Sequence, residues 1–154
     1  TQLFFLLSRY RQQQELRQRD LFSQHVVSDY LFQKDRIFAS INLDDAELVL
    51  YDQILPLLER ELPRPDLVVY LRADLPVLLS RIEKRGRAFE RGIDPDYLRH
   101  LDEAYTHYFF HYRSSPLLVV NTNAVDVVAR PEDRAELIRR ILSHDRGTAY
   151  YNPA

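Results

Sequence analysis

The sequence predicts a three-layer α/β fold, a parallel sheet with helices on both faces, and three observations lead to it. Short unbroken apolar runs, Leu67-Val68-Val69-Tyr70-Leu71 and Leu117-Leu118-Val119-Val120, have the pattern of strands covered on both faces. Around them lie longer stretches whose apolar residues recur three and four apart, the period of a helix. The two signals alternate, and alternation implies parallel strands joined by right-handed crossovers.

Residues 2–19 carry Leu3, Phe4, Leu6, Leu7 and Tyr10, followed by the helix formers Gln12 to Leu16, and are expected to be helical. His25-Val26-Val27-Ser28-Asp29-Tyr30 is a β-branched run between polar stretches and is expected to form a buried strand. Leu48, Tyr51, Ile54, Leu55 and Leu58 line one side of a helix over 44–61, with Asp44 and Asp45 available as caps and Leu62-Pro63-Arg64-Pro65 as the stop. Asp66–Leu71 then reads as a strand. The next helix opens at Asp74 and Pro76 and buries Leu75, Leu78, Leu79 and Ile82, with Gly86 placed as its left-handed terminator.

Asp94 and Pro95 start a further helix to Tyr112, with Tyr97, Leu98, Leu101, Tyr105, Tyr108 and Phe109 on its buried side. Leu117–Val120 is a strand, and a last helix spans Glu132–Leu142 behind Pro131. No repeat, low-complexity tract or Pro/Gly/Ser-rich linker divides the chain, so residues 1–154 are expected to be one domain or part of one.

Composition narrows the chemistry. With 154 residues, of which 45% are hydrophobic and 29% charged, the chain can bury a core. It has no Cys, which excludes disulfides, thiol catalysis and Cys-based zinc sites, and no Met, so Thr1 is expected to be a boundary rather than a start. The 21 basic and 23 acidic residues nearly cancel, giving no electrostatic reason to expect nucleic acid or membrane as a partner. Leu3–Leu7 is too short for a signal-peptide core or a membrane span, and a cytoplasmic protein is expected. The only glycines are Gly86, Gly92 and Gly147, so neither GxxxxGK[ST] nor GxGxxG occurs within these residues.

The densest chemical signal is Arg81-Ile-Glu-Lys84-Arg85-Gly-Arg87-Ala-Phe-Glu90-Arg91. Arg81 and Arg85 are four apart, one helical turn, and Gly86 lets Arg87 converge from the loop. Guanidinium forks match phosphate oxygens two at a time, while the same cations also suit the negative end of a helix dipole. Asp29, at the carboxyl end of its expected strand, suits either Mg²⁺ beside substrate phosphates or a turn. In open parallel sheets ligands sit beyond the carboxyl ends of strands, which directs attention to Ser28, Asp29, Arg72 and Asn121. Gln2 and Arg9 are two turns apart on one helix face and can read a hydrogen-bonding edge or face solvent. Glu103, His107 and His111 recur every four residues, but HExxH is absent and the aromatic residues between them favour packing over metal binding.

Four blocks together resemble the deoxynucleoside kinase family of P-loop phosphotransferases: Thr1–Arg11, Lys34-Asp-Arg-Ile-Phe38-Ala-Ser, Arg81–Glu90 followed by Gly92-Ile-Asp-Pro-Asp-Tyr97-Leu, and Leu117-Leu-Val-Val-Asn121-Thr-Asn-Ala-Val-Asp126. The resemblance implies a P-loop kinase-like fold, incomplete at the N-terminus, with a lid at about residues 81–92. It implies that Gln2, Arg9 and Phe38 hold the nucleoside base and that Glu90 bonds the deoxyribose hydroxyl. It further implies that Arg81, Arg85 and Arg87 hold the donor and transferring phosphates, that Asn123 and Asp126 belong to a loop bordering the adenine of ATP, and that Asp29 keeps a role toward Mg²⁺.

The sequence also departs from the family. Ser28-Asp29-Tyr30 stands where an acidic-Arg-Ser motif is usual, and Lys34 stands where relatives often have an aspartate that contacts the base. The implied reaction is ATP-dependent phosphorylation of a deoxynucleoside 5′-hydroxyl, with a purine favoured. The phosphate loop and the activating carboxylate are expected before Thr1, so residues 1–154 alone are expected to be inactive. A thymidylate-type kinase acting on monophosphates, or a non-catalytic kinase-like module, is the alternative, and fusion to a pterin pyrophosphokinase resembles a known arrangement; the apolar stripes of the aromatic helix and of the 44–61 helix offer surface either to a homodimer or to the core.

Overall fold

The computed structural model describes residues 2–19, 26–90 and 92–153. Helices α1 (Gln2–Arg19), α2 (Asp35–Asn42), α3 (Asp45–Glu59), α4 (Leu75–Arg85), α5 (Pro95–His111) and α6 (Pro131–Ser143) accompany strands β1 (Val68–Arg72), β2 (Leu117–Asn121) and β3 (Thr148–Tyr151). The chain divides into two compact units, Thr1–Pro63 and Arg64–Ala154.

The first unit is helical. Leu6, Phe32, Ala39, Tyr51 and Leu55 form its core, drawn from α1, a 3₁₀ turn at Phe32–Lys34, α2 and α3. Asp44 starts α3 with a full capping box: its carboxylate accepts from Glu47 N–H at 2.9 Å, and Glu47 accepts from Asp44 N–H at 3.2 Å. A two-pronged ion pair of 2.8 Å per bond joins Arg36 to Asp52 across α2 and α3.

The second unit holds the sheet, in the order β1-β2-β3 with both pairings parallel. Alternate residues face opposite ways. Leu118 and Val120 pack on Leu137 and Ile141 of α6, while Tyr70 stacks on Phe109 of α5 at 4.3 Å between ring centroids. Helices therefore cover both faces of this sheet, as expected. Stacking of this kind adds about 0.5–1.5 kcal/mol beyond the area that the rings bury.

Two expectations about strands fail. Residues 26–30 form no strand, and His25 lies outside the described residues. Val27 is 97% exposed, and no described strand pairs with this run. A β-branched sequence makes a strand only where a neighbour satisfies its backbone groups. The third strand is instead Thr148–Tyr151, a four-residue edge element after Gly147 that resembles a tail in sequence. Pairing with β2 decides its state: Leu117 lies opposite Thr148, and Leu117 N–H donates to Gly147 C=O at 2.9 Å. The turn and short helix over 32–42 were likewise unassigned from sequence.

Candidate functional site

The basic segment is built as α4 ends. Gly86 adopts φ +66°, the left-handed conformation that favours glycine, and its N–H donates to Ile82 C=O at 3.2 Å. The chain then turns back through Arg87 into a short 3₁₀ turn, Ala88–Glu90. This reversal puts Glu90 against α4. Arg85 donates from Nε to Glu90 Oε2 at 3.0 Å and from Nη2 to Oε1 at 2.6 Å, and Arg87 Nη1 lies 3.9 Å from Oε1. The Glu90 side chain is only 9% exposed, whereas Arg85 and Arg87 stay about half exposed, at 49% and 55%. Ile82, Gly86, Arg87, Glu90 and Ile93 line a groove of about 480 Å³ beside this cluster. Arg91 lies outside the described residues.

Arg81, one turn earlier on α4, goes elsewhere. Its Nη1 donates to Thr122 Oγ1 at 2.8 Å, and its Nη2 donates to the carbonyls of Thr122 and Val125 at 2.6 and 3.2 Å. Thr122 is buried and is itself anchored, donating from N and Oγ1 to Arg72 C=O at 2.7 and 2.9 Å. Arg72 and Asn121 pair at the carboxyl ends of β1 and β2. Arg81 thus ties α4 to the loop leaving β2, at the position where open parallel sheets place ligands.

The side chains of that loop are committed to holding its shape. Asn123 accepts from Asp74 N–H at 2.8 Å and donates from Nδ2 to Asp74 Oδ2 at 2.7 Å. Asp126 accepts from Ala129 and Val128 N–H at 2.9 and 3.1 Å. These bonds to the charged form, that of Ala129 foremost, hold its carboxyl below the usual carboxylate value. The sequence signal that could have exposed the network is Asn121-Thr122-Asn123, three polar residues directly after an apolar strand.

In the first unit a second cluster gathers Arg9, Tyr30, Lys34, Asp35 and Tyr51. Gln2 and Arg9 are both half-buried on α1, and Phe38 is half-buried on α2. The Arg9 guanidinium carbon lies 4.4 Å from the centre of the Tyr30 ring, and Lys34 Nζ lies 5.5 Å from the same point. Burial lowers the Lys34 ammonium from its ordinary value and Arg9 adds to that, while Asp29 and Asp35 act in the opposite sense. Asp35 is buried, and each of its oxygens takes one phenol: Tyr30 Oη donates to Oδ1 and Tyr51 Oη to Oδ2, both at 3.0 Å. Sequence reasoning named Lys34 as a departure and missed Asp35, Tyr30 and Tyr51 as its setting.

Asp29 lies in an exposed bend rather than at a strand end, because the strand expected before it does not form. No group of three or more His, Asp or Glu residues able to hold a metal occurs among the described residues. His107 and His111 stack with ring centroids 4.5 Å apart, and His111 Nδ1 sits 2.9 Å from His107 C=O, an arrangement within one helix. No helix among the described residues is long and apolar enough to cross a membrane.

These features define an α/β protein with a parallel sheet, an arginine-bearing turn at the end of the helix after β1 and a polar, hydrogen-bonded loop after β2. The sequence model of the deoxynucleoside kinase family matches residues 1–144, and the chain belongs to that family. Deoxyguanosine kinase from Bacillus subtilis (strain 168) is 42% identical over 105 residues, a match covering 68% of this chain and 51% of the relative. Deoxyadenosine kinase from Lactobacillus acidophilus is 29% identical, with 89% of this chain and 71% of the relative covered. Deoxyguanosine kinase from Lactobacillus johnsonii is 30% identical, with 92% and 68% covered. The match to the first of these spans about half of that relative's length.

Proposed function

We propose that the complete protein containing this chain transfers the γ-phosphoryl group of ATP to the 5′-hydroxyl of a purine deoxynucleoside. The observation that carries this reading is the lid: Arg85 and Arg87 converge on Glu90 across the left-handed Gly86, in a chain of this family. Phosphoryl transfer proceeds through a loose transition state with charge spread over phosphate oxygens, so it is accelerated by positioned cations rather than by a covalent intermediate. The 5′-oxygen forms the new bond to the γ-phosphorus and the bond to the ADP oxygen breaks. The hydroxyl proton passes to a base that the family resemblance puts ahead of Thr1.

Arg85 and Arg87 are the groups that neutralise the transferring phosphate, and Glu90 meets the deoxyribose hydroxyl. Arg81 holds the loop of Asn123 and Asp126, whose backbone borders the adenine. Gln2, Arg9 and Phe38 belong to the nucleoside side. Both units are then parts of one kinase domain, in a protein that is cytoplasmic and homodimeric. Mg²⁺ takes one or two carboxylates and fills its shell with water and phosphate oxygens; the exposed Asp29 carboxylate would hold it, and the ion would supply neutralisation of phosphate charge.

The test is a substrate comparison with the complete protein, ATP and Mg²⁺. Deoxynucleosides should be converted to their 5′-monophosphates, and deoxynucleoside monophosphates should not be substrates. Turnover of monophosphates alone would replace this reading with that of a nucleotide kinase.

A further inference from the structure

Asp74 begins α4 in the N-cap position with extended backbone, φ −68° and ψ 152°, yet among the described residues its carboxylate accepts from no N–H of the helix. Part of the reason is in the sequence. An N-cap carboxylate bonds the second or third N–H of a helix, and the second residue here is Pro76, which has none. Asp74 spends its groups instead on Asn123, 49 positions away. Asp74 N–H donates to Asn123 Oδ1 at 2.8 Å, and Asn123 Nδ2 donates to Asp74 Oδ2 at 2.7 Å. Asn123 is held in turn, since its own N–H donates at 3.0 Å to Oδ1 of Asn121, the last residue of β2.

Asp74 and Arg81 are seven apart, two turns, and so lie on one side of α4. Both reach the loop after β2, Asp74 at Asn123 and Arg81 at Thr122 and Val125. Arg85, four residues further along the same stripe, carries the grip on Glu90. The helix is therefore a lever tied at its start and along its length, with the phosphate-handling arginines at its far end. Both partners of the fork are exposed, so water could satisfy the same groups. What water cannot supply is a fixed direction for the helix. From Asp74 to Arg85 is about 16 Å at about 1.5 Å per residue, so a tilt of about 5° carries Arg85 by about 1.4 Å. A misplacement of about 1 Å can cost about 100-fold in rate.

We infer that the Asp74–Asn123 fork sets the direction of α4 and with it the placement of Arg85 and Arg87, which makes Asp74 and Asn123 positioning residues for phosphoryl transfer. The inference rests on the kinase reading of the lid. It gives Asn123 a task toward the lid, through Asp74, besides its place in the loop beside the adenine.

The fork can be broken and remade with hardly any change of size. Asn123→Asp sets two carboxylates face to face where a donor met an acceptor. Adding Asp74→Asn exchanges the roles: the amide at position 74 donates to the carboxylate at position 123, which still accepts from the backbone N–H of position 74. With the complete protein, saturating ATP, Mg²⁺ and deoxyguanosine, Asn123→Asp should lower kcat about tenfold or more and change KM for deoxyguanosine by less than about threefold. The double variant should recover most of the lost kcat. A kcat for Asn123→Asp within about twofold of wild type, a loss confined to KM for ATP, or a double variant no better than Asn123→Asp overturns the inference while leaving the kinase reading standing. Where Asn123→Asp fails to fold, Asn123→Ala, which removes the fork and adds no charge, is read against the same loss of kcat. If the wild-type protein converts no deoxynucleoside, the kinase reading falls and the inference falls with it.

Discussion

Arg85 grips Glu90 with two bonds, 3.0 and 2.6 Å long, across the turn made by Gly86. The carboxylate is nearly enclosed while the guanidinium is half exposed, so the pair holds the lid's shape and still presents cationic edge to solvent. Exposed ion pairs contribute about 0–1 kcal/mol to stability, and Glu90 keeps Arg87 when Arg85 is removed. Arg85→Ala in the complete protein should therefore leave Tm within a few degrees of wild type. It should lower kcat by at least about 100-fold, as expected for a cation that meets charge developing on a transferring phosphate. Steady-state kinetics with paired thermal melts check this, and an unchanged kcat removes Arg85 from the site.

Because the two side chains act as a unit, their substitutions should not add. Glu90→Gln keeps the shape, weakens the grip on Arg85 and should lower kcat/KM for the deoxynucleoside about tenfold. The double variant with Arg85→Ala should be little worse than Arg85→Ala alone. A double-mutant cycle on kcat/KM reads this directly; full additivity would separate their roles.

Arg81 offers a different signature. It spends its fork on Thr122 and Val125, so Arg81→Met should loosen the loop and raise KM for ATP about tenfold, with a much smaller effect on KM for the deoxynucleoside. Losing hydrogen bonds from a charged donor should also cost about 1–3 kcal/mol of stability, visible in denaturant unfolding. Equal changes in the two KM values would place Arg81 outside the donor side.

How much of this was legible follows from which interactions are local. The α3 capping box, the Gly86 terminator and the apolar period of α5 are set by residues within a few positions of one another, and all can be read from the sequence. The Arg81–Thr122 and Asn123–Asp74 contacts join residues 41 and 49 apart and depend on β1 lying beside β2, which no local pattern states. The strand expected over His25–Tyr30 failed in its described residues, 26–30, for the same reason, since pairing is a property of the neighbour. Lys34 stood out as unusual in sequence, but the Tyr51 phenol reaches Asp35 beside it only once α2 and α3 pack together.

The phenols make a pH prediction. Burial first, and the Asp35 carboxylate next, push the Tyr51 hydroxyl far above its ordinary value of 10.0. The folded protein then holds this proton where the unfolded chain has lost it, so the stabilisation is complete below about pH 10 and is lost progressively as pH rises further. Tyr51→Phe should cost about 1–3 kcal/mol at neutral pH, by leaving Asp35 Oδ2 without its donor. It should also flatten the fall of Tm above pH 10, measured against wild type; an alkaline limb of unchanged slope would contradict the Tyr51–Asp35 bond.

The proposed lid serves transfer to a nucleoside rather than to a nucleotide. Following ATP-dependent product formation by the complete protein with deoxyguanosine and, separately, with deoxyguanosine 5′-monophosphate tests it most directly. Deoxyguanosine should be converted to its 5′-monophosphate, and no diphosphate should form from the second substrate. Diphosphate formation without phosphorylation of the nucleoside would contradict it.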